Sequence, residues 1–503
     1  MDDGRTELAS TTGLCPACLD QVPGRYEAVE GAVYLTRECD DHGTTSRRVW
    51  GSVDHWEWAA SFGPATDGDP VARDHSDSDE CHEPTAPSVG DCCEPAGDAS
   101  TADADCCAPA TASTGDGDGG FRVESDHACL AVVEVTQDCN LSCSYCFAGS
   151  GPGGHQRSRE AVIDLLDVIR DAGGPRPVQF SGGEPTVRDD LPGIVETAAE
   201  MGFEHVQVNT NGLRLAREDG YADRLAAAGV TAVYLQFDGL DPGTYEAIRE
   251  VDLVAEKHAA IDACRAADLP VVLVPTVVPG VNDDEMGDVV RFALDNLDVI
   301  ESVNFQPVAH FGRYGPDDGR FPLDVAADRL AAQVDGLEKR DLVPIPCCSS
   351  HCQMATALVP GDGAPVPVTQ FVDDALFETL SGVVDEADWM ELLANTPAGR
   401  DRACSAVGCC DFDLPAGAGD LFADLLPVSL TGFMDADAGD ADRLSNCCIS
   451  VPTPDGELVP FCGYNMTTDD GRYALRNRHD WGGRPAVGEP VDAASPEGGE
   501  SDD

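Results

Sequence analysis

Three cysteines in the stretch Cys139-Asn-Leu-Ser-Cys143-Ser-Tyr145-Cys146-Phe147 are spaced Cys-x3-Cys-x2-Cys, directly after the apolar run Leu130 to Val135. Three such thiolates can close on three irons of a [4Fe-4S] cube and leave the fourth iron without a protein ligand. That open iron is the chemical point. A fourth Cys would make an electron carrier, whereas a vacant position can chelate the amino and carboxylate groups of a small molecule and pass it an electron. The bland alternative for the three cysteines is a zinc knuckle or a set of structural thiols.

From about 130 to 340 short apolar strands alternate with amphipathic helices. Strands are expected at Leu130 to Val135, Val178 to Ser181, His205 to Asn209, Ala232 to Phe237, Val271 to Val277 and Ser302 to Pro307. Six strand-helix repeats with right-handed crossovers predict an α/β fold, a partial (β/α)6 barrel, with its chemistry at the C-terminal ends of the strands. The polar, Gly-rich segments obey that rule. The cysteine triad follows strand one, Ser181-Gly182-Gly183-Glu184-Pro185 ends strand two, and Asn209-Thr210-Asn211-Gly212 ends strand three. Gln236-Phe237-Asp238-Gly239 ends strand four, and Asn304-Phe305-Gln306-Pro307 lies on strand six. Gly182 and Gly183 would let backbone approach a ligand, Glu184 would accept from a ligand ammonium group, and Asn209 and Asn211 would bond ribose hydroxyls. Asp238 is either a ligand contact or a turn-capping carboxylate.

Two further regions carry cysteines. Residues 1–62 hold Cys15-Pro-Ala-Cys18 and Cys39-Asp-Asp-His42-Gly43 around a hairpin, Tyr26 to Thr36, which is the layout of a rubredoxin-like or zinc-ribbon knuckle. Zinc and iron both remain open as its metal. Residues 341–475 offer Cys347, Cys352, Cys447 and Cys462 for one auxiliary [4Fe-4S] cluster, with Cys348 and Cys448 as substitutes and a structural zinc site as the alternative. Cys404, Cys409 and Cys410 lie between these two ends. Cys129 and Cys264 read as packed residues, although Cys129 is close enough to the first rim to be a ligand. The barrel is bounded at 126–340. Residues 63–125 read as an acidic flexible linker containing Cys81-His82, Cys92-Cys93 and Cys106-Cys107, and 476–503 as a disordered acidic tail.

The 503 residues contain 92 Asp and Glu against 31 Lys and Arg, a net charge of −61, and the only lysines are Lys257 and Lys339. Such an excess over the whole chain reads as adaptation to a high-salt cytoplasm and argues against nucleic acid or an anionic membrane as partner. Neither a signal peptide nor a spanning apolar run is visible, so a cytoplasmic location without membrane insertion is expected. There, 22 cysteines serve metal or redox chemistry more readily than disulfides.

The triad with Tyr145 before its last Cys resembles the radical SAM signature. The longer runs Phe180-Ser-Gly-Gly-Glu-Pro-Thr-Val-Arg-Asp-Asp190, Gln207-Val-Asn-Thr-Asn-Gly212, Tyr234-Leu-Gln-Phe-Asp-Gly239 and Asn304-Phe-Gln-Pro-Val-Ala309 with Gly312-Arg313 are similar to one archaeal subgroup. That subgroup holds a tetraether lipid synthase and a radical SAM methylase of methanopterin biosynthesis. The resemblance implies reductive cleavage of S-adenosylmethionine at the Cys139, Cys143 and Cys146 cluster, with a donor such as ferredoxin. The 5'-deoxyadenosyl radical would then serve C-methylation of a pterin-like or other small substrate. Radical carbon-carbon coupling of lipid chains is the second reading; a non-catalytic iron-sulfur electron-transfer protein is the third. The Asp-rich Cys-Cys repeats of the linker depart from the subgroup's compact cysteine segment, which puts a second auxiliary cluster in doubt.

Overall fold

The computed structural model describes residues 4–62, 129–315, 320–345, 349–361, 363–371, 425–468, 471–473 and 475–476. The linker expected at 63–125 lies outside the described residues, as does the expected tail except for its first residue, Arg476, which is buried. Also outside them are Cys81, Cys92, Cys93, Cys106, Cys107, Cys347, Cys348, Cys404, Cys409 and Cys410.

Four antiparallel strands, β1 (Arg5–Leu14), β2 (Gln21–Val29), β3 (Ala32–Cys39) and β4 (Gly43–Trp50), form the N-terminal ribbon in the order 1-2-3-4. The expected hairpin is β2 with β3. Its two flanking turns carry the two ligand pairs, and Gly43, at a φ of +76°, lets β4 begin directly after His42. The long β1 was not anticipated, since its Thr- and Ser-rich sequence has little apolar alternation. A short helix, α1 (Val53–Ala60), closes the ribbon.

Six parallel strands follow: β5 (Leu130–Thr136), β6 (Val178–Gly182), β7 (Val206–Thr210), β8 (Ala232–Gln236), β9 (Val271–Val274) and, after the two-residue β10 (Thr276–Val277), β11 (Ile300–Pro307). They are neighbours in chain order with parallel register. The helices α2 (Arg159–Asp171), α3 (Leu191–Glu200), α5 (Tyr221–Ala228), α7 (Val254–Ala266), α8 (Met286–Leu294) and α9 (Leu323–Ala331) match the periodic stretches of the sequence. Two short helices escaped it, α4 (Leu213–Arg217) and α6 (Pro242–Arg249). Each strand is two-sided. Val178 and Phe180, Val206 and Val208, and Val233 and Leu235 point into the helix-covered core, where each buried side chain contributes about 1.5–3 kcal/mol. The alternating residues Gln179, Ser181, Gln207, Asn209, Tyr234 and Gln236 face a cavity inside the barrel.

The C-terminal region enters the same sheet at both edges. Its strands β12 (Val343–Pro344), β13 (Gln353–Val359), β14 (Val366–Pro367) and β15 (Leu426–Thr431) lie beyond β11, with β15 parallel to it. Strands β16 (Ile449–Pro452) and β17 (Leu458–Pro460) lie beyond β5, with β16 parallel to it. The described strands from 341 onward thus flank the six-stranded barrel by extending its sheet. The ribbon packs on this framework through Arg37, whose guanidinium donates to the carbonyls of Leu14, Ala436 and Asp437, and through the backbone N–H of Gly51, which donates to Asp324 at 2.7 Å.

The two lysines are both internal supports. Lys339 pairs with Asp324 and Asp328. Lys257, on α7, is 0% exposed and donates to Asn211 O at 2.6 Å and Gln236 Oε1 at 2.9 Å. Burial pushes its ammonium down to about 7, against the opposing pull of Asp238. Between that value and the ordinary 10.5 the unfolded chain binds a proton that the folded chain lacks, so this group makes stability rise with pH. We therefore expect wild type to gain on Lys257→Met by about 1.4 kcal/mol per pH unit, measured by urea unfolding from about pH 7 to about pH 10. A difference that stays flat over that window would refute the assignment.

Candidate functional site

The cysteine loop leaves the top of β5 and is gripped from two sides. On one side Arg249, at the end of α6, donates through Nη1 to Tyr145 O at 2.9 Å, and Ser144 N donates to Ile248 O at 3.1 Å. On the other, Arg313 donates to the carbonyls of Cys143, Gly149 and Ser150 at 2.6–3.0 Å, and its backbone exchanges two hydrogen bonds with Cys146. Five loop carbonyls accept hydrogen bonds in this way, which fixes the loop without regular secondary structure. Cys143 is buried, and Cys139 and Cys146 are half-buried.

Cys139, Cys143 and Cys146 line one wall of a cavity of about 220 Å³. Facing them across it are Gly182, Gly183, Glu184, Asn209 and Asn211, as the sequence predicted, and no fourth cysteine lies on its walls among the described residues. This donor set fits a cube that keeps one iron open. Burial, followed by the charge of Glu184, pushes the Cys139 thiol up to about 12. Burial likewise raises Cys143, while the Arg249 guanidinium pulls it back. Thiolates here depend on a nearby positive charge, which a metal cluster would supply.

Several of these residues also have partners within the protein. The Gly182-Gly183 turn approaches protein backbone. A Cβ on Gly182 would stand 2.1 Å from Thr136 O and one on Gly183 2.3 Å from Asp138 O, and Gly182 has a φ of +128°. Gly183 N and Glu184 N donate to those same two carbonyls at 2.7 and 2.9 Å, docking the end of β6 on the root of the cysteine loop. Glu184 is 1% exposed, and its carboxylate accepts four protein hydrogen bonds: from Thr186 N, Thr186 Oγ1, Thr210 Oγ1 and Asn211 N, at 2.6–3.0 Å. It ties the tops of β6 and β7 together, with one lone pair of Oε2 left for a ligand. Asn211 reaches Asn140 of the loop, its Nδ2 donating at 2.7 Å, and Asn209 Nδ2 donates to Ser181 Oγ at 3.4 Å.

Of the two readings open for Asp238, its contacts favour a structural one. It is 1% exposed and holds Arg249 in a two-pronged ion pair, Nε to Oδ2 and Nη2 to Oδ1, both at 2.7 Å, with Thr276 N donating to Oδ1 at 3.1 Å. Its carboxylate therefore faces Arg249, and it is absent from the cavity wall. Arg249 itself escaped the sequence reading. Its signal was available, since Tyr245, Ile248 and Arg249 share one helical face and the first two are apolar and buried. A cation on that face requires a buried carboxylate.

In the ribbon, Cys15, Cys18, Cys39 and His42 bring their ligand atoms within 4.8 Å of one another. His42 Nδ1 lies 3.4 Å from Cys39 Sγ and 3.7 Å from Cys15 Sγ. A tetrahedral zinc with bonds of ~2.3 Å to sulfur and ~2.0 Å to nitrogen spaces such ligands about 3.5 Å apart, so the set fits that ion. The proposed auxiliary set is less complete, because Cys347 lies outside the described residues. Of the others, Cys352 O accepts from Gly432 N at 2.8 Å and Cys462 Sγ from Met434 N at 3.4 Å, so both border the same short segment. Cys447 follows the short helix Ala441–Ser445 and directs its Sγ to Ile449 O at 3.4 Å.

Comparison with known proteins bears on this arrangement. Residues 133–293 match the radical SAM superfamily, and residues 7–51 match the HMPTM N-terminal zinc ribbon domain. The chain is 30% identical over 511 aligned positions to the 7,8-dihydro-6-hydroxymethylpterin dimethyltransferase of Methanocaldococcus jannaschii, covering 90% of this chain and 93% of that protein. It is 36% identical over 194 positions to the GTP 3',8-cyclase of Heliobacterium modesticaldum, covering 38% of this chain and 57% of that protein. Among solved structures, Streptococcus suis SuiB bound to its precursor peptide SuiA aligns with a TM-score of 0.34 at 16% identity, covering 39% of this chain and 43% of that one. The N-terminal ribbon is thus a zinc-ribbon domain, and the chain belongs to the radical SAM superfamily, within the family of the Methanocaldococcus jannaschii dimethyltransferase.

Proposed function

We propose that the enzyme methylates an unactivated carbon of a pterin-like heterocycle. The observation that carries this reading is the polarity of the cavity. Its inner wall presents the neutral carboxamides of Gln179, Gln207, Asn304, Gln306 and Gln353, while Phe147, Phe311, Phe433 and Phe461 supply an aromatic wall. Amides offer donors and acceptors together, and aromatic faces offer stacking, which suits a flat, uncharged ring system. A lipid chain would satisfy none of the amide donors and acceptors that this wall turns to the cavity, at a cost of about 1–3 kcal/mol for each group left unpaired. A triphosphate such as that of GTP would need free cations. The two arginines on the wall are already committed, Arg249 to Asp238 and Arg313 to three carbonyls.

A [4Fe-4S] cluster held by Cys139, Cys143 and Cys146 would supply the electron for reductive cleavage of S-adenosylmethionine. The chain's own residues prepare that event. Arg249 and Arg313 hold the cysteine loop, while Glu184 and Asn211 set the opposing rim. The phenylalanines exclude water from the reacting carbon. An external reductant such as ferredoxin, a high-salt cytoplasm, and an auxiliary [4Fe-4S] cluster on Cys352, Cys447 and Cys462 with Cys347 belong to this proposal. No helix among the described residues is long and apolar enough to cross a membrane.

The test is an anaerobic reaction of reconstituted protein in molar salt with dithionite, S-adenosylmethionine and a 7,8-dihydropterin. Release of 5'-deoxyadenosine that rises when the pterin is added is expected; release unaffected by the pterin would reject the substrate class. Cys143→Ala should abolish 5'-deoxyadenosine release and leave ribbon zinc at the wild-type content by metal analysis. Arg249→Met strands Asp238 in the interior. It should cost about 3–5 kcal/mol by chemical denaturation, and a loss below 1 kcal/mol would contradict the buried-pair assignment.

A further inference from the structure

We infer that Gln179 and Gln207 are specificity-determining residues that together read the lactam edge of the substrate, its adjacent N–H and C=O. The inference rests on the pterin-like reading above and adds to it the atoms of recognition. The two residues are a directly opposed pair on neighbouring parallel strands, and Gln179 Nε2 donates to Gln207 Oε1 at 3.0 Å. That bond consumes one carbonyl and one amide hydrogen. It leaves Gln179 Oε1 and Gln207 Nε2 without a protein hydrogen-bond partner among the described residues, on a pair that lines the cavity. Reversing both amides exchanges the roles and leaves the same outcome, one acceptor beside one donor. A lactam presents the complement, one donor beside one acceptor.

The surroundings provide no competing protein partner. In register, Gln179 is flanked by Val132 on β5 and Gln207 by Ala232 on β8, both apolar. Both glutamines are largely buried, at 6% and 3% exposure, so a dry, unpaired edge would carry the desolvation cost of two polar groups. The pair sits three residues below Gly182, roughly 10 Å at ~3.3 Å per residue. A bicyclic ring held there by its pyrimidine end directs its second ring toward the cysteine loop, where hydrogen abstraction takes place. The amide pair thereby chooses the ring and, through its distance from the rim, the carbon.

The experiment is isothermal titration of the full-length, cluster-loaded protein with two unreactive probes, pterin (2-amino-4-oxopteridine) and 2-aminopteridine, which lacks both the oxygen and the adjacent N–H. Wild type should bind pterin about tenfold or more tightly than 2-aminopteridine. In Gln207→Met and in Gln179→Met that preference should fall to within about threefold, with affinity for S-adenosylmethionine unchanged as the check on folding. Wild type that binds both probes equally would overturn the inference without any variant, as would variants that retain the wild-type preference. Failure of wild type to bind either pteridine, while binding S-adenosylmethionine, would instead sink the pterin-like reading itself.

Discussion

The ion pair between Arg249 and Asp238 is the constraint on which the active rim depends. Both groups are removed from water, so each needs the other to remain charged at an acceptable cost. Two parallel hydrogen bonds fix the plane of the guanidinium, and the remaining donors then point in set directions, to Tyr145 O and Thr276 Oγ1. One helix end, one strand end and the cysteine loop are thus held by a single cation. A lysine could neutralise Asp238 but could not reach all three, because its charge is a point and its donors are not planar.

The same logic extends to a chain that carries few cations. Many of its arginines are spent inside the protein. Arg37 caps three carbonyls between ribbon and barrel, Arg188 reaches Val135 O, Arg157 O and Asp190, and Arg476 pairs with Glu134 behind the cysteine loop. Each serves backbone or carboxylate oxygens that regular hydrogen bonding leaves over where elements meet. Interior arginines here act as multi-pronged donors that join segments distant in sequence, and the acidic excess is left to the exposed surface.

Most of the barrel was legible because its strands are short, continuous apolar runs between helices of clear period, and a parallel sheet imposes that pattern. The rim was legible for a related reason, since Gly-Gly and Asn-Gly punctuate the strand ends. The edge strands β15 and β16 could not be found in this way. Their register with β11 and β5 comes from contacts more than a hundred residues away, and nothing in Leu426–Thr431 distinguishes an edge of this sheet from a strand of a separate domain. The protein partners of Glu184 and Asp238 were hidden for one shared reason. A carboxylate beside a glycine turn looks available in sequence, and only the fold reveals that backbone N–H groups and Arg249 have already claimed it.

These commitments give the cavity a gradient of charge. At the rim stand the thiols, Glu184, Arg249 and Arg313; deeper, on the same strands, stand only amides, hydroxyls and apolar groups. A charged molecule is least costly near the rim, where the charged side chains of the wall and the cysteine triad stand. A neutral ring is favoured below, where a charge would be desolvated without compensation. The strand pleat produces this sorting: residues two apart face the same cavity at successive depths, so Gln179, Ser181 and Gly183 descend from rim to floor in reverse order along one strand and its turn. A cavity so sorted suits a charged molecule at the rim and a neutral one below it.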